Sequence, residues 1–123
     1  MNEEGPLIAV VDDEEPIRKA LSRLLRLHGL KVETFVSGGE FLESLRDHIP
    51  DCLVLDLHMP EPDGFEVESR LARAGFRIPI VVITGGDSPK DRQCMTERGV
   101  AAFLQKPLDG QALLVAIDCA TKR

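Results

Sequence analysis

The chain of 123 residues has no tryptophan and no tyrosine, so its five phenylalanines are its only large aromatic side chains. No apolar run approaches the roughly 18 residues needed to cross a bilayer. The N-terminal residues 1–6 are acidic and lack the basic and apolar regions of a signal peptide. Together these absences predict a cytoplasmic protein that does not associate with membranes.

Cysteine and positive charge are also scarce. Cys52, Cys94 and Cys119 are odd in number and widely spaced, which matches neither a zinc pattern nor a full disulfide framework. The 15 basic residues are outnumbered by 21 acidic ones, giving a net charge of -6. That balance argues against direct nucleic-acid binding, which requires a basic surface. The length favours one domain over residues 1–123.

Short apolar runs alternate along the chain with segments of helical periodicity. The runs do not alternate internally between apolar and polar residues, which is typical of strands buried on both faces. Strands that alternate with helices imply parallel pairing with right-handed crossovers. We therefore expect a doubly wound α/β fold, with helices on both faces of an open five-stranded parallel sheet. The predicted strands are residues 7–11, 31–36, 52–55, 78–83 and 100–104.

Polar side chains stand where four of these strands end, and parallel strands bring their carboxyl ends to one edge of the sheet. Asp12 and Asp13 follow the first strand, Asp56 ends the third, Thr84 follows the fourth and Lys106 follows the fifth. Individually, such residues have ordinary explanations, because Asp commonly marks turns and caps helices. Their convergence on one edge favours a functional site.

Three neighbouring carboxylates repel one another unless a cation offsets their charge or their pKa values rise. Oxygen ligands without a His/Cys cluster suit a hard ion, so we expect Mg²⁺, with Mn²⁺ as a substitute. Asp13 and Asp56 are the preferred direct ligands, and Asp12 would bind directly or through water. The chain turns away after His58, so its backbone carbonyl is a further candidate ligand.

The remaining groups at this edge favour phosphoryl transfer to a carboxylate. Lys106 offers a positive charge and Thr84 a hydroxyl donor, and neither is a base. A Ser/His/Asp triad is not available, because no histidine follows a strand end in a suitable place. A carboxylate nucleophile, a metal, a lysine and a hydroxyl act by positioning and charge neutralisation. We therefore predict that Asp56 accepts a phosphoryl group.

These motifs resemble the receiver domain of bacterial two-component response regulators, and most closely the FixJ-type receivers. The resemblance extends from about Leu7 to Ala120, and its fold is flavodoxin-like (βα)5 with strand order 2-1-3-4-5. The motifs that carry it are, in chain order, Asp12-Asp13, Asp56 with Met59-Pro60, Asp63-Gly64, Ile83-Thr84-Gly85 and Lys106-Pro107.

The resemblance implies a phosphorelay function. A sensor histidine kinase would phosphorylate Asp56, and the domain would catalyse its own Mg²⁺-dependent phosphoryl uptake and loss without being a conventional enzyme. The metal ligands would be those named above. Thr84 and Lys106 would contact the phosphoryl group, Phe103 would be the switch aromatic, and Lys106–Pro107 would be a cis peptide.

The output would follow from a change of shape. The fourth helix, fifth strand and fifth helix would change conformation and control an output domain or a downstream protein, in regulation of transcription for example. A phosphorylation-dependent homodimer is a further expectation. The sequence leaves open whether the chain stands alone or belongs to a longer regulator.

Two positions are expected to tune the phosphoryl lifetime. His58 lies two residues after the acceptor, and Gly85 and Gly86 leave the space beside Thr84 open. We expect easy access of water and a short-lived aspartyl phosphate. The competing interpretation is that His58 is a solvated loop residue without a kinetic role.

Three other protein classes are alternatives to this interpretation. A non-phosphorylated interaction module could use the same fold without the chemistry. A flavin-binding protein would need a Ser/Thr/Gly-rich loop after the first strand, where this chain has residues 12–15, Asp-Asp-Glu-Glu. A haloacid-dehalogenase-like phosphatase needs a second Asp two residues after the nucleophile, and His58 stands there.

Overall fold

Five strands and five helices alternate within residues 5–86 and 88–122, which are those that the computed structural model describes. All strand pairs are parallel, and the order β2-β1-β3-β4-β5 confirms the predicted α/β topology. None of the described helices is long and apolar enough to cross a membrane. The elements are β1 Leu7–Val11, α1 Glu15–Leu27, β2 Lys31–Phe35, α2 Gly38–Ser44, β3 Cys52–Asp56, α3 Gly64–Arg73, β4 Ile80–Thr84, α4 Pro89–Glu97, β5 Ala102–Gln105 and α5 Gly110–Thr121.

The sheet separates two apolar clusters. Alternate residues of β1, β3 and β4 point to opposite faces, so a strand buried on both faces is apolar throughout. One cluster joins the sheet to Phe41 of α2, Val67 of α3 and Met95 of α4. The other joins it to Leu25 of α1 and Ile117 of α5. This two-sided burial makes the central strands a rigid support for the residues that follow them.

The ends of β4 and β5 differ from the predicted ones by one or two residues. The predicted strands begin at residues 78 and 100, whereas β4 begins at Ile80 and β5 at Ala102. The N–H of Val100 donates to the carbonyl of Met95, 3.3 Å away, and so still belongs to the end of α4. β4 also ends one residue later than predicted, so Thr84 is its last residue and not the residue that follows it.

Helices α2, α3, α4 and α5 each begin at a polar residue whose side chain accepts a backbone hydrogen bond. Ser37 Oγ accepts a hydrogen bond from the N–H of Glu40, and Ser88 Oγ accepts one from the N–H of Asp91. Each bond satisfies a backbone donor that has no partner within the helix. Gly29, with a φ of 82°, follows α1 in the left-handed conformation that its lack of a Cβ permits.

The start of α3 lies directly against the end of β3. The N–H of Gly64 donates to the carbonyl of Leu57 across 2.9 Å. A Cβ on Gly64 would lie 2.6 Å from the carbonyl oxygen of Asp56 and 2.7 Å from Leu57 Cα. Only glycine allows this approach, which fixes the loop that follows Asp56.

Arg98 fastens the end of α4 to α3. Its guanidinium donates to Glu68 Oε1 at 2.8 Å, and to the carbonyl of Phe65 and the Oγ of Ser69 at 3.1 Å each. The same group lies 5.7 Å from the centre of the Phe65 ring. The C-terminal end of α4 is therefore held by several contacts at once.

Candidate functional site

The predicted acidic cluster forms at the carboxyl edge of the sheet. β1 and β3 are paired with Val11 opposite Leu55, so the next residues, Asp12 and Asp56, lie side by side. Both are buried, whereas Asp13 is exposed. One carboxylate oxygen from each of the three residues lies within 4.8 Å of the others. This spacing would let a single cation bind all three.

Lys106 lies against the carboxylates as the sequence predicts, with a partner that was not predicted. Its Nζ is 2.9 Å from both Asp12 Oδ2 and Glu14 Oε1, and 3.7 Å from Asp56 Oδ2. Burial alone would lower the pKa of Lys106, but its hydrogen bond to Glu14 and its close contact with the Asp12 carboxylate raise it above the ordinary lysine value. Lys106 is therefore a permanent cation in this site.

Burial raises the pKa of Asp56 to about 6, and the nearby charge of Asp12 adds to the effect. The charge of Lys106 and the N–H of His58 act in the opposite direction. That N–H lies 3.4 Å from Asp56 Oδ1. The carboxyl group of Asp56 is almost fully buried, so water contributes little to the stabilisation of its charged form.

Asp12 provides the observation that bears most directly on a metal. Its Oδ1 accepts a hydrogen bond from the N–H of Glu14 at 2.8 Å. Its Oδ2 is buried and has no well-directed hydrogen bond from any described residue, although Lys106 Nζ is near enough for an ion pair. A carboxylate oxygen has more than one lone pair, so Oδ2 can accept a further ligand besides Lys106. Together with the carboxylates of Asp13 and Asp56, the Oδ2 of Asp12 forms a set of oxygen ligands that suits a hard cation.

Thr84 and Phe103 occupy neighbouring strands but differ in their surroundings. Thr84 is buried, its Oγ1 accepts a bond from the N–H of Gly86 at 3.3 Å, and its carbonyl accepts one from the N–H of Lys106 at 2.7 Å. Phe103 is half-buried and lies opposite Val82 in the sheet. The guanidinium of Arg92 lies over its ring, 4.7 Å from the ring centre. Phe103 is thus outside the cleft at Asp56.

The cleft above Asp56 is open to solvent and joins loops from both sides of the site. The Lys106–Pro107 peptide beside it is cis, and so is Glu61–Pro62, which sequence reasoning missed. The cleft is lined by Asp13, Glu14, Asp56, His58, Gly85, Gly86 and Lys106.

A model of the response regulator receiver domain matches residues 8–118. The chain belongs to this family. It is 40% identical over 118 residues to Nodulation protein W of Bradyrhizobium diazoefficiens, covering 95% of the chain and 52% of that protein. It is 39% identical over 123 residues to Response regulator protein TmoT of Ectopseudomonas mendocina, covering 99% of the chain and 56% of that protein. The chain thus spans about half the length of these relatives.

Solved structures agree with this assignment. The crystal structure of FixJ-N is 35% identical and superimposes with a TM-score of 0.85, covering 98% of this chain and 95% of that one. The similarity includes the strand order of the sheet, so the flavodoxin-like architecture of this receiver domain is established from both sequence and structure.

Two contacts in this receiver domain go beyond the predicted set. Glu14 binds Lys106, and the acidic run Asp12-Asp13-Glu14 was the signal that could have revealed it. His58 Nε2 lies 3.1 Å from Asp91 Oδ2 of α4, so the imidazole is bonded and not merely solvated. No feature of the sequence pairs these two residues, which are 33 positions apart.

Proposed function

We propose that this receiver domain accepts a phosphoryl group on Asp56 from the phosphohistidine of a sensor kinase. An Asp56 carboxylate oxygen forms a bond to phosphorus while the phosphorus–nitrogen bond of the donor breaks, and the electron pair remains on the imidazole nitrogen. Loss is the attack of water on phosphorus, which breaks the Asp56 oxygen–phosphorus bond and releases inorganic phosphate. The position of the buried Asp56 carboxyl group, 3.7 Å from the ammonium of Lys106, is the observation that carries the proposal.

The neighbouring side chains would stabilise the charge that accumulates during transfer. Lys106 offers its ammonium to a phosphoryl oxygen, and Thr84 its hydroxyl. Each hydrogen bond to a charged group contributes about 1.5–3 kcal/mol. The N–H of Lys106 donates to the carbonyl of Thr84, and this bond keeps the two residues next to each other at the edge of the sheet.

Asp12, Asp13 and Asp56, with the backbone carbonyl of His58, would hold Mg²⁺ or Mn²⁺. The ion would neutralise charge on the phosphoryl oxygens. The buried Oδ2 of Asp12, which has an ion pair with Lys106 but no well-directed hydrogen bond from the residues that the structure describes, and the spacing of the three carboxylates within 4.8 Å support this assignment. His58 and Gly86, which line the cleft, would set how quickly water reaches the phosphoryl group.

Phosphorylation would be read out through the switch residues Thr84 and Phe103. Two new contacts of about 1.5–3 kcal/mol each approach the roughly 5.5 kcal/mol that reverses a 1:99 equilibrium. Thr84 would move towards the phosphoryl group, and Phe103 would fill the space it leaves. The surface formed by α4, β5 and α5 would then change and control its partner.

The partners follow from this readout. In the cytoplasm, the location proposed for this chain, a sensor histidine kinase supplies the phosphoryl group, and an output domain or a downstream protein receives the signal. Control of transcription is the output proposed for a longer regulator, and a phosphorylation-dependent homodimer is proposed for the α4-β5-α5 surface.

Incubation with acetyl phosphate and Mg²⁺ tests the proposal. Intact-protein mass spectrometry should show one added phosphoryl group on the wild-type chain and none on Asp56→Asn. Asp47→Asn, which neutralises an exposed aspartate outside the cleft, is the matched control and should behave as wild type. Equal labelling of Asp56→Asn would overturn the assignment of Asp56 as the acceptor, and no labelling of the folded wild type would favour the alternative of a non-phosphorylated interaction module.

A further inference from the structure

His58 spans the space between the loop after β3 and the first turn of α4. It follows Asp56 by two residues, and its Nε2 lies 3.1 Å from Asp91 Oδ2. The other side of the imidazole meets the ring of Phe65 edge-on, with 6.3 Å between centroids. Two contacts from different helices therefore hold a side chain that is otherwise 56% exposed.

Asp91 is well placed to fix its partner. Its backbone N–H is bonded to Ser88 Oγ at 3.2 Å, which anchors the residue in the first turn of α4. Its side chain is 23% exposed, much less than that of His58. The less exposed carboxylate of an anchored residue thus restrains the more exposed imidazole, so the position of the His58 ring depends on Asp91.

The opposite side of the cleft cannot compensate for a displaced ring. Gly85 and Gly86 line it without side chains. A Cβ on Gly86 would meet nothing within 4 Å, and one on Gly85 would meet only the Lys106 side chain at 4.0 Å. The His58 ring is thus the bulky group able to screen Asp56 on the side of the cleft between the loops after β3 and β4.

We propose that Asp91 is a positioning residue that lengthens the lifetime of the phosphoryl group on Asp56 by holding the His58 ring across the mouth of the cleft. The inference rests on the proposed phosphorylation of Asp56 and adds its regulation from α4. When the bond to Asp91 is lost, the ring leaves the mouth more often, and water reaches the phosphorus atom more easily.

The test measures phosphoryl loss after acetyl phosphate is removed from the labelled protein, still in Mg²⁺. Asp91→Ala should lose the group about 3- to 10-fold faster, the factor expected for one hydrogen bond. His58→Ala should be similarly fast, and the double variant should match His58→Ala alone, because Asp91 acts through His58. Asp91→Asn keeps an acceptor oxygen and should remain within about twofold of wild type.

Two controls separate this role from a general effect on α4 or on charge. Glu97→Ala removes one negative charge from the last turn of the same helix and should leave the loss rate unchanged. The rate of phosphoryl uptake by Asp91→Ala should also stay close to wild type, since Asp91 does not line the cleft.

The outcomes distinguish the two proposals. An unchanged or slower loss in Asp91→Ala, additive effects in the double variant, or the same acceleration in Glu97→Ala would each overturn the role of Asp91 while leaving Asp56 as the acceptor. If the wild-type chain takes up no phosphoryl group, the proposed function fails and this inference fails with it.

Discussion

The ammonium of Lys106 lies 3.7 Å from Asp56 Oδ2, beyond hydrogen-bonding distance. Asp12 and Glu14 hold it instead, at 2.9 Å each. The cation is therefore close enough to act on charge at Asp56 but makes its short contacts elsewhere. A phosphoryl group arriving at Asp56 would bring its oxygens towards Lys106, so the missing contact would form as the group is transferred.

Replacement of Lys106 by alanine should slow phosphoryl uptake from acetyl phosphate by roughly 10- to 100-fold, because one charged hydrogen bond in the transition state is lost. Uptake followed by intact-protein mass spectrometry measures this directly. Lys122→Ala removes the same charge from an exposed site beyond α5 and serves as the control. Wild-type uptake by Lys106→Ala would contradict the role given to Lys106.

The raised pKa of Asp56 predicts how stability depends on pH without metal. The folded pKa of about 6 exceeds the unfolded value of about 4, so the folded state binds more protons between these values. This contribution is fully present below about pH 4 and is lost as the pH rises through 6. Asp56→Asn should therefore gain stability relative to wild type as the pH rises, by up to about 3 kcal/mol at pH 7.

Urea unfolding in EDTA between about pH 4 and 8 measures this difference. Asp47→Asn, at an exposed position, should follow wild type throughout. A constant difference between Asp56→Asn and wild type across this range would show that the Asp56 carboxylate is not destabilised by its surroundings.

Gly86→Glu should slow phosphoryl loss, because a side chain would fill the open side of the cleft. The substitution fits the fold, since Gly86 is exposed and a Cβ there would meet nothing within 4 Å. Time courses after removal of acetyl phosphate should show phosphoryl loss several-fold slower than in wild type, because water would reach the phosphorus atom less easily. Gly86→Ala should change the rate less, and identical rates for all three proteins would exclude the effect.

Gly64→Ala should destabilise the fold by about 1–3 kcal/mol, the usual cost of overpacking. The added methyl group would be 2.6 Å from the carbonyl oxygen of Asp56, so backbone must move. Gly39→Ala is the control, because its Cβ would come no nearer than 3.9 Å to Ser37 Oγ. Urea unfolding compares the two, and equal stabilities would show that the loop after Asp56 yields without cost.

Much of the site could be predicted because it depends on topology alone. Residues that end parallel strands share an edge whatever their rotamers, and this rule brought Asp12, Asp13, Asp56 and Lys106 together. Strand boundaries were less predictable. The apolar run begins at Val100, but the N–H of Val100 still bonds to α4, so the run starts before the strand does.

The bond of Lys106 to Glu14 and that of His58 to Asp91 were not predictable in this way. Each depends on how a loop turns and which rotamer a long side chain adopts, and neither leaves a periodic signal in the sequence. The relative positions of β3, α3 and α4 had to be known first.

Because Arg98 holds the C-terminal end of α4 against α3, a rotation of α4 would be centred on that end. Nine helical residues span about 13 Å. A rotation of about 10° around the C-terminal end of α4 would therefore shift its N-terminal turn by roughly 2 Å while its C-terminal turn stays in place. If a small change beside Asp56 rotates α4, the displacement of the helix would then be largest at its N-terminal turn, the end nearest to Asp56.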